Sequence, residues 1–241
     1  MNRAPTLKTL LREVYQELIH LDSRLWRTMA ALLRPGEAAV LWTRGLSEGV
    51  LLPPFRLYLI ASGLFFLTGG GLWMSEAVAT SMEEMLPDAG ELGIRLEALR
   101  AAVTARVLGW VALIRMVSLV PVALLLALFI RRGQPRIAPA FVFAMNYFTV
   151  AFSLAVFLSF AGWCLLAWPG TAGWEPSLNQ ASIVVERTLL LVWLVLGIRR
   201  FLDRGWLLSA SGAVLLALVD LVTLVVGFGI GVGIMGELLH Q

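Results

Sequence analysis

RRGQPRIAPAFVFAMNYFTVAFSLAVFLSFAGWCLLAW, running from Arg131 to Trp168, decides the fold. Three arginines crowd its first six residues, and then Ile137–Trp168 passes without an Asp, Glu, Lys or Arg. A helix crosses a hydrocarbon core of about 30 Å with about 20 apolar residues, so this stretch is long enough to span a membrane. Four further runs approach or exceed that length: Phe55–Met74, Val107–Ile130, Ala181–Ile198 and Gly205–Met235. The arginines before Ile137 give the direction. Eight basic residues precede the first span up to Arg56. Arg131, Arg132 and Arg136 follow the second, and Arg199, Arg200 and Arg204 follow the fourth. The opposite side holds Arg95, Arg100, Arg106 and Arg187, while Arg115 falls inside a span. Lys and Arg concentrate on the cytoplasmic side of short loops. The sequence therefore predicts an all-α, polytopic transmembrane bundle of five spans, with its N-terminus cytoplasmic and its C-terminus periplasmic, in a bacterial inner membrane.

Composition agrees. A mean hydropathy of +0.83 and 59% hydrophobic residues lie outside the range of soluble domains. The net charge of +3 comes from arginines that flank apolar runs, which points to anionic lipid headgroups on the cytoplasmic side and away from nucleic acid. The single cysteine, Cys164, excludes an internal disulfide and a cysteine-based metal site. Met1–His20 lacks the uninterrupted apolar core of a signal peptide, so the first span is expected to act as an uncleaved insertion signal.

Residues 1–53 read as a cytoplasmic helical segment, and residues 54–241 as the membrane domain. Leu7, Leu11, Val14, Leu18, Leu21, Leu25 and Leu32 recur at helical spacing with charges between them. A surface-lying amphipathic helix accounts for this better than a short coiled coil. A break near His20 is expected, with Asp22 or Ser23 capping a second piece. Pro35–Gly36 stops the helix, Glu37–Arg44 forms another, and Pro53–Pro54 leads into span one. Gly69–Gly71 terminates or loosens that span's outer end. Residues 75–106 carry six acids and three arginines with helical periodicity, and are expected to form an outer helical hairpin. Tryptophans fall at both predicted interfaces, with only Trp193 in mid-span.

Two charges break the sorting. Arg115 and Asp220 lie at mid-depth in spans two and five, where an isolated charge costs at least about 2.5–3.5 kcal/mol. An interhelical ion pair between them is expected, as a packing clasp or as part of a relay. Glu186 and Arg187 sit inside the outer end of span four and either snorkel, pair locally or face a polar cavity. Asn146, beside Tyr147 in span three, is expected to donate an interhelical hydrogen bond. Pro121 is a candidate kink in span two. Gly227, Gly229, Gly231 and Gly233 form small-xxx-small pairs that permit close helix approach, within the chain or to a partner. His20 and His240 are the only histidines, and the sequence has no metal-ligand, nucleophile-elbow or phosphate-loop motif. No cofactor, metal or catalytic residue is expected.

LDSRLWRTMAALLRPGEAAVLWTRG from Leu21 and LLPPFRLYLIASGLFFL from Leu51 resemble the opening of an uncharacterised bacterial family of polytopic membrane proteins. Its members pair an N-terminal zinc ribbon with several transmembrane helices. The likeness lies in the run from Thr28 to Gly36, in Arg44–Gly45 and in the Pro-Phe start of the first span. FVFAMNYFTVAFSL from Phe141 is similar to a later family segment. The zinc-ribbon cysteines are missing here, and Ala140 and Asn146 stand where family histidines are usual. The resemblance implies a membrane topology and no activity.

The expected function is therefore non-enzymatic: an integral inner-membrane accessory or scaffold protein that packs against another membrane protein or lipid, or assembles as a homo-oligomer. The alternative is a small oligomeric transporter with a polar path through Arg115, Asp220, Asn146 and Glu186.

Overall fold

In a computed structural model the described residues are 23–46, 49–68, 114, 117–130, 137–167 and 175–239, with side chains described as far as Val226. All regular structure among them is helical. The helices are α1 (residues 23–33), α2 (Glu37–Thr43), α3 (Pro54–Leu67), α4 (Val117–Phe129), α5 (Ile137–Leu166), α6 (Glu175–Leu202) and α7 (Trp206–Leu239). Three segments are long and apolar enough to cross a membrane: Ile137–Leu166, Gln180–Leu202 and Trp206–Thr223. α3 and α4 are apolar but shorter. Residues 6–22, Arg115 and the expected outer hairpin at 75–106 lie outside the described residues.

The core is aromatic and small-residue packing around α5. Its buried face carries Ala140, Phe143, Ala144, Tyr147, Phe148, Ala151, Phe152 and Ala155. The alanines let neighbouring helices approach, and the rings fill the space between them. α3 packs on one side of α5, and α6 on another, with α7 against α6. α4 contributes Val122, Ala123, Leu126 and Ala127 to the same core. Pro121 is half-buried in α4, where it leaves the Val117 carbonyl without the amide donor that another residue would supply. The outer surface of the bundle is strongly apolar: Leu59, Leu64, Leu67, Leu128, Phe157, Phe160, Val184, Val222 and Val225 are all exposed. A hydrocarbon solvent is what such a surface fits.

α3 has 14 residues and starts at Pro54, which has no amide N–H to leave unsatisfied in the first turn. Tyr58 and Phe65, near its two ends, both meet the Phe152 ring midway along α5, at 5.9 and 4.9 Å between centroids. At 1.5 Å per residue α3 is about 21 Å long against about 45 Å for α5. It therefore covers only the middle of its neighbour. Beside the first turns of α5 sits a second helical unit, α1 and α2.

This unit is docked into the bundle, and a single stripe of α6 holds it. Trp193, Gly197 and Arg200 recur at four and three residues, so they share one face. Trp193 Nε1 donates to the Leu32 carbonyl at 2.9 Å, satisfying one of the orphan acceptors at the end of α1. Gly197 meets the backbone of Gly36, the N-cap of α2, which turns the chain at φ 75°. Arg200 reaches Glu37 at 3.1 Å, with Arg34 on the other Glu37 oxygen at 3.3 Å. On the other side, Thr28 Oγ1 accepts from the Leu52 amide at 2.9 Å and donates to the Arg24 carbonyl. Ala31, Leu32, Ala38, Leu51, Leu52 and Leu57 close around this bond as a small core of their own. Residues 23–46 thus set one face, with Thr28, Ala31, Leu32, Ala38 and Ala39, against the helical bundle, while Trp26 and Leu33 stay exposed on the other.

Candidate functional site

The charged residues inside the bundle meet where α5, α6 and α7 come together. Asp220 projects from α7 and is 2% exposed. Its Oδ2 accepts a hydrogen bond from the Tyr147 hydroxyl of α5 at 3.1 Å. Arg187 Nη1 of α6 lies 4.0 Å from the same oxygen. Three helices are therefore joined at one carboxylate. Asp220 is 14 residues into α7, about 21 Å along it, and Arg187 is 15 residues from the end of α6, about 22 Å. The two antiparallel helices thus bring acid and base to the same height.

A cavity of about 580 Å³ opens beside this junction. α6 lines it with Ile183, Glu186, Arg187, Leu190, Leu191 and Leu194, and α7 with Val214, Ala217, Leu218 and Leu221. Tyr147 closes the back. Its walls are aliphatic, and its polar groups gather at one end: the buried Glu186, the half-exposed Arg187 and the Tyr147 hydroxyl beside Asp220. Pockets for organic ligands have this volume and this pattern of few polar groups on apolar walls. No cluster of His, Cys, Asp and Glu suited to a metal ion occurs among the described residues.

The structure treats the sequence candidates unequally. Asp220, Glu186 and Arg187 come together, and Arg187 supplies a cation beside Asp220. Arg115, expected opposite Asp220, lies outside the described residues, and so does the pairing proposed for it. Asn146 is buried but does not line the cavity, because it points about 100° away from Tyr147 on the same helix. Its Nδ2 has no hydrogen-bond partner among the described residues. Gly227, Gly229, Gly231 and Gly233 lie on the backbone of α7, beyond the last described side chain.

Two residues with buried donors were missed, Tyr147 at the site and Trp193 on the α6 stripe. Tyr147 has a buried hydroxyl, and such groups in apolar surroundings require a partner, which was the available signal. Trp193 was noted only as the mid-span exception to the interfacial tryptophans. Its indole N–H likewise needed an acceptor, and the end of α1 provides one. No family model, curated protein or solved structure matches the chain.

Proposed function

We propose that this chain is a five-span protein of the bacterial inner membrane, with its N-terminus cytoplasmic and its C-terminus periplasmic, and that it works by packing rather than by catalysis. It serves as an accessory or scaffold subunit whose α6–α7 groove receives a transmembrane helix of a partner membrane protein. One observation carries this reading. An aliphatic groove on the side of the bundle ends in Glu186, Arg187 and the Tyr147–Asp220 pair. Polar groups at this depth join helices to one another, and a partner helix with a polar residue at that height matches both wall and end. The Tyr147 and Arg187 contacts to Asp220 support reading the junction as a packing element.

The test is a photo-crosslinking residue at Leu218, in the groove wall, used in native membranes. The expected product is a protein adduct of one defined mass that is lost when Arg187 is changed to Gln. Adducts to lipid alone, or a protein adduct indifferent to Arg187, refute the reading. The convergence of Glu186, Arg187 and Asp220 around one cavity favours a second reading, a small oligomeric transporter. Liposome flux abolished by Asp220→Asn supports that reading, and flux at the level of empty liposomes ends it.

A further inference from the structure

Three arginines stand where α6 gives way to α7, and their surroundings differ. Arg199 stacks over the Trp206 ring, 3.8 Å from its centroid. Arg200 pairs with Glu37. Arg204 does neither. Its backbone N–H meets the Arg199 carbonyl at 3.4 Å, and its guanidinium has no hydrogen-bond or ion-pair partner among the described residues. Yet Arg204 is half-buried, and it lines a cavity of about 210 Å³ with Leu128 and Phe129 of α4, Leu202 of α6 and Leu208 of α7.

A half-buried arginine among leucines, its guanidinium without an ion-pair partner among the described residues, is an arrangement that an anion relieves. The chain builds this position deliberately. Asp203 adopts a left-handed conformation at φ 50°, which ends α6 and sets Arg204 just ahead of the first turn of α7. The walls say which anion. Leu128 and Leu208 are exposed beyond the cavity and continue its apolar lining along the outside of the bundle. A free inorganic phosphate uses the guanidinium and leaves those leucines idle. A diacyl lipid uses both, its phosphate at Arg204 and its chains along Leu128 and Leu208.

We infer that the cavity between α4, α6 and the α6–α7 turn holds the phosphodiester of an anionic phospholipid, with Arg204 as its ligand. The site lies in the cytoplasmic leaflet, which rests on the orientation proposed above. It is separate from the α6–α7 groove, so the Leu218 crosslink and the experiment below fail independently.

The experiment is native mass spectrometry of the full chain released from nanodiscs of phosphatidylcholine containing phosphatidylglycerol. One phosphatidylglycerol is expected to remain bound in preference to phosphatidylcholine. Arg204→Gln is expected to lower that retention about tenfold or more, the effect of removing a charged hydrogen-bond donor. Leu202→Trp, at a half-buried residue of the cavity wall, adds bulk without altering charge and is expected to lower it as well. Arg56→Gln, at an exposed arginine of α3, leaves it unchanged. Equal loss at Arg56 and Arg204, equal retention of the two lipids, or displacement of phosphatidylglycerol by millimolar inorganic phosphate overturns the inference. Melting temperatures in lipid-free detergent establish that each variant is folded, and Leu202→Trp provides a second arm independent of the guanidinium.

Discussion

Gly36→Ala tests the docking of the α1–α2 unit directly. Gly36, Gly45 and Gly49 all have positive φ, at 75°, 69° and 71°. An L-residue in that region costs about 1–2 kcal/mol at any of the three. The surroundings separate them. A Cβ at Gly45 or Gly49 meets nothing within 4 Å, whereas at Gly36 it falls 2.6 Å from the Gly197 carbonyl oxygen. That oxygen belongs to the backbone of α6 and cannot swing aside, so α2 must shift away from α6. The shift loosens the Trp193–Leu32 bond and the Arg200–Glu37 pair, and overpacking of this kind adds about 1–3 kcal/mol. Gly36→Ala is therefore expected to destabilise the protein by about 2–5 kcal/mol, and Gly45→Ala by the conformational part alone. Reversible SDS unfolding in mixed micelles, followed by tryptophan fluorescence, measures both. Equal destabilisation by the two substitutions shows that Gly36 does not touch α6 and removes the basis for a docked α1–α2 unit.

Three other outcomes follow from the same contacts. Trp193→Phe keeps the ring packing on Phe143 and Tyr147 but leaves the Leu32 carbonyl without its donor, and is expected to lower stability by about 1–3 kcal/mol in the same titration. In a double-mutant cycle, Tyr147→Phe and Asp220→Asn are expected to couple by about 0.6–1.7 kcal/mol, the range for buried membrane hydrogen bonds. Additive effects in that cycle dissolve the three-helix junction. Asn146→Leu removes a buried amide nitrogen that has no partner among the described residues, so stability is expected to stay equal or rise. A loss above about 2 kcal/mol means that a hydrogen bond there has been overlooked.

The three long helices were legible because apolar length is a one-dimensional property. Of the expected span Phe55–Met74, α3 covers the part up to Leu67, and residues 69–74 lie outside the described residues. The helix stops at Leu67, where the Thr68 hydroxyl bonds back to the Leu64 and Phe65 carbonyls. Asp220 was identifiable from its depth alone, but which cation meets it depends on the rotation of α6 about its axis. The sequence pattern does not encode that rotation, and it left open whether Arg187 snorkels, pairs locally or faces a polar cavity. The Pro35–Gly36 turn was evident as a helix stop. Its seat on Gly197 was not, because two glycines 161 residues apart carry no periodic signal. The amphipathic pattern of residues 23–33 states that one face is buried and leaves open whether lipid or protein buries it.

The stripe on α6 also sets an order of events during synthesis. The Trp193–Leu32 bond joins residues 161 apart. At about 5–20 residues per second, Trp193 is made roughly 8–30 s after Leu32. Through that interval α1 and α2 exist without the α6 stripe that holds them. The amino-terminal part of the chain therefore reaches its final place late, recruited by α6, and a nascent chain truncated before Trp193 is the form most exposed to proteolytic clearance.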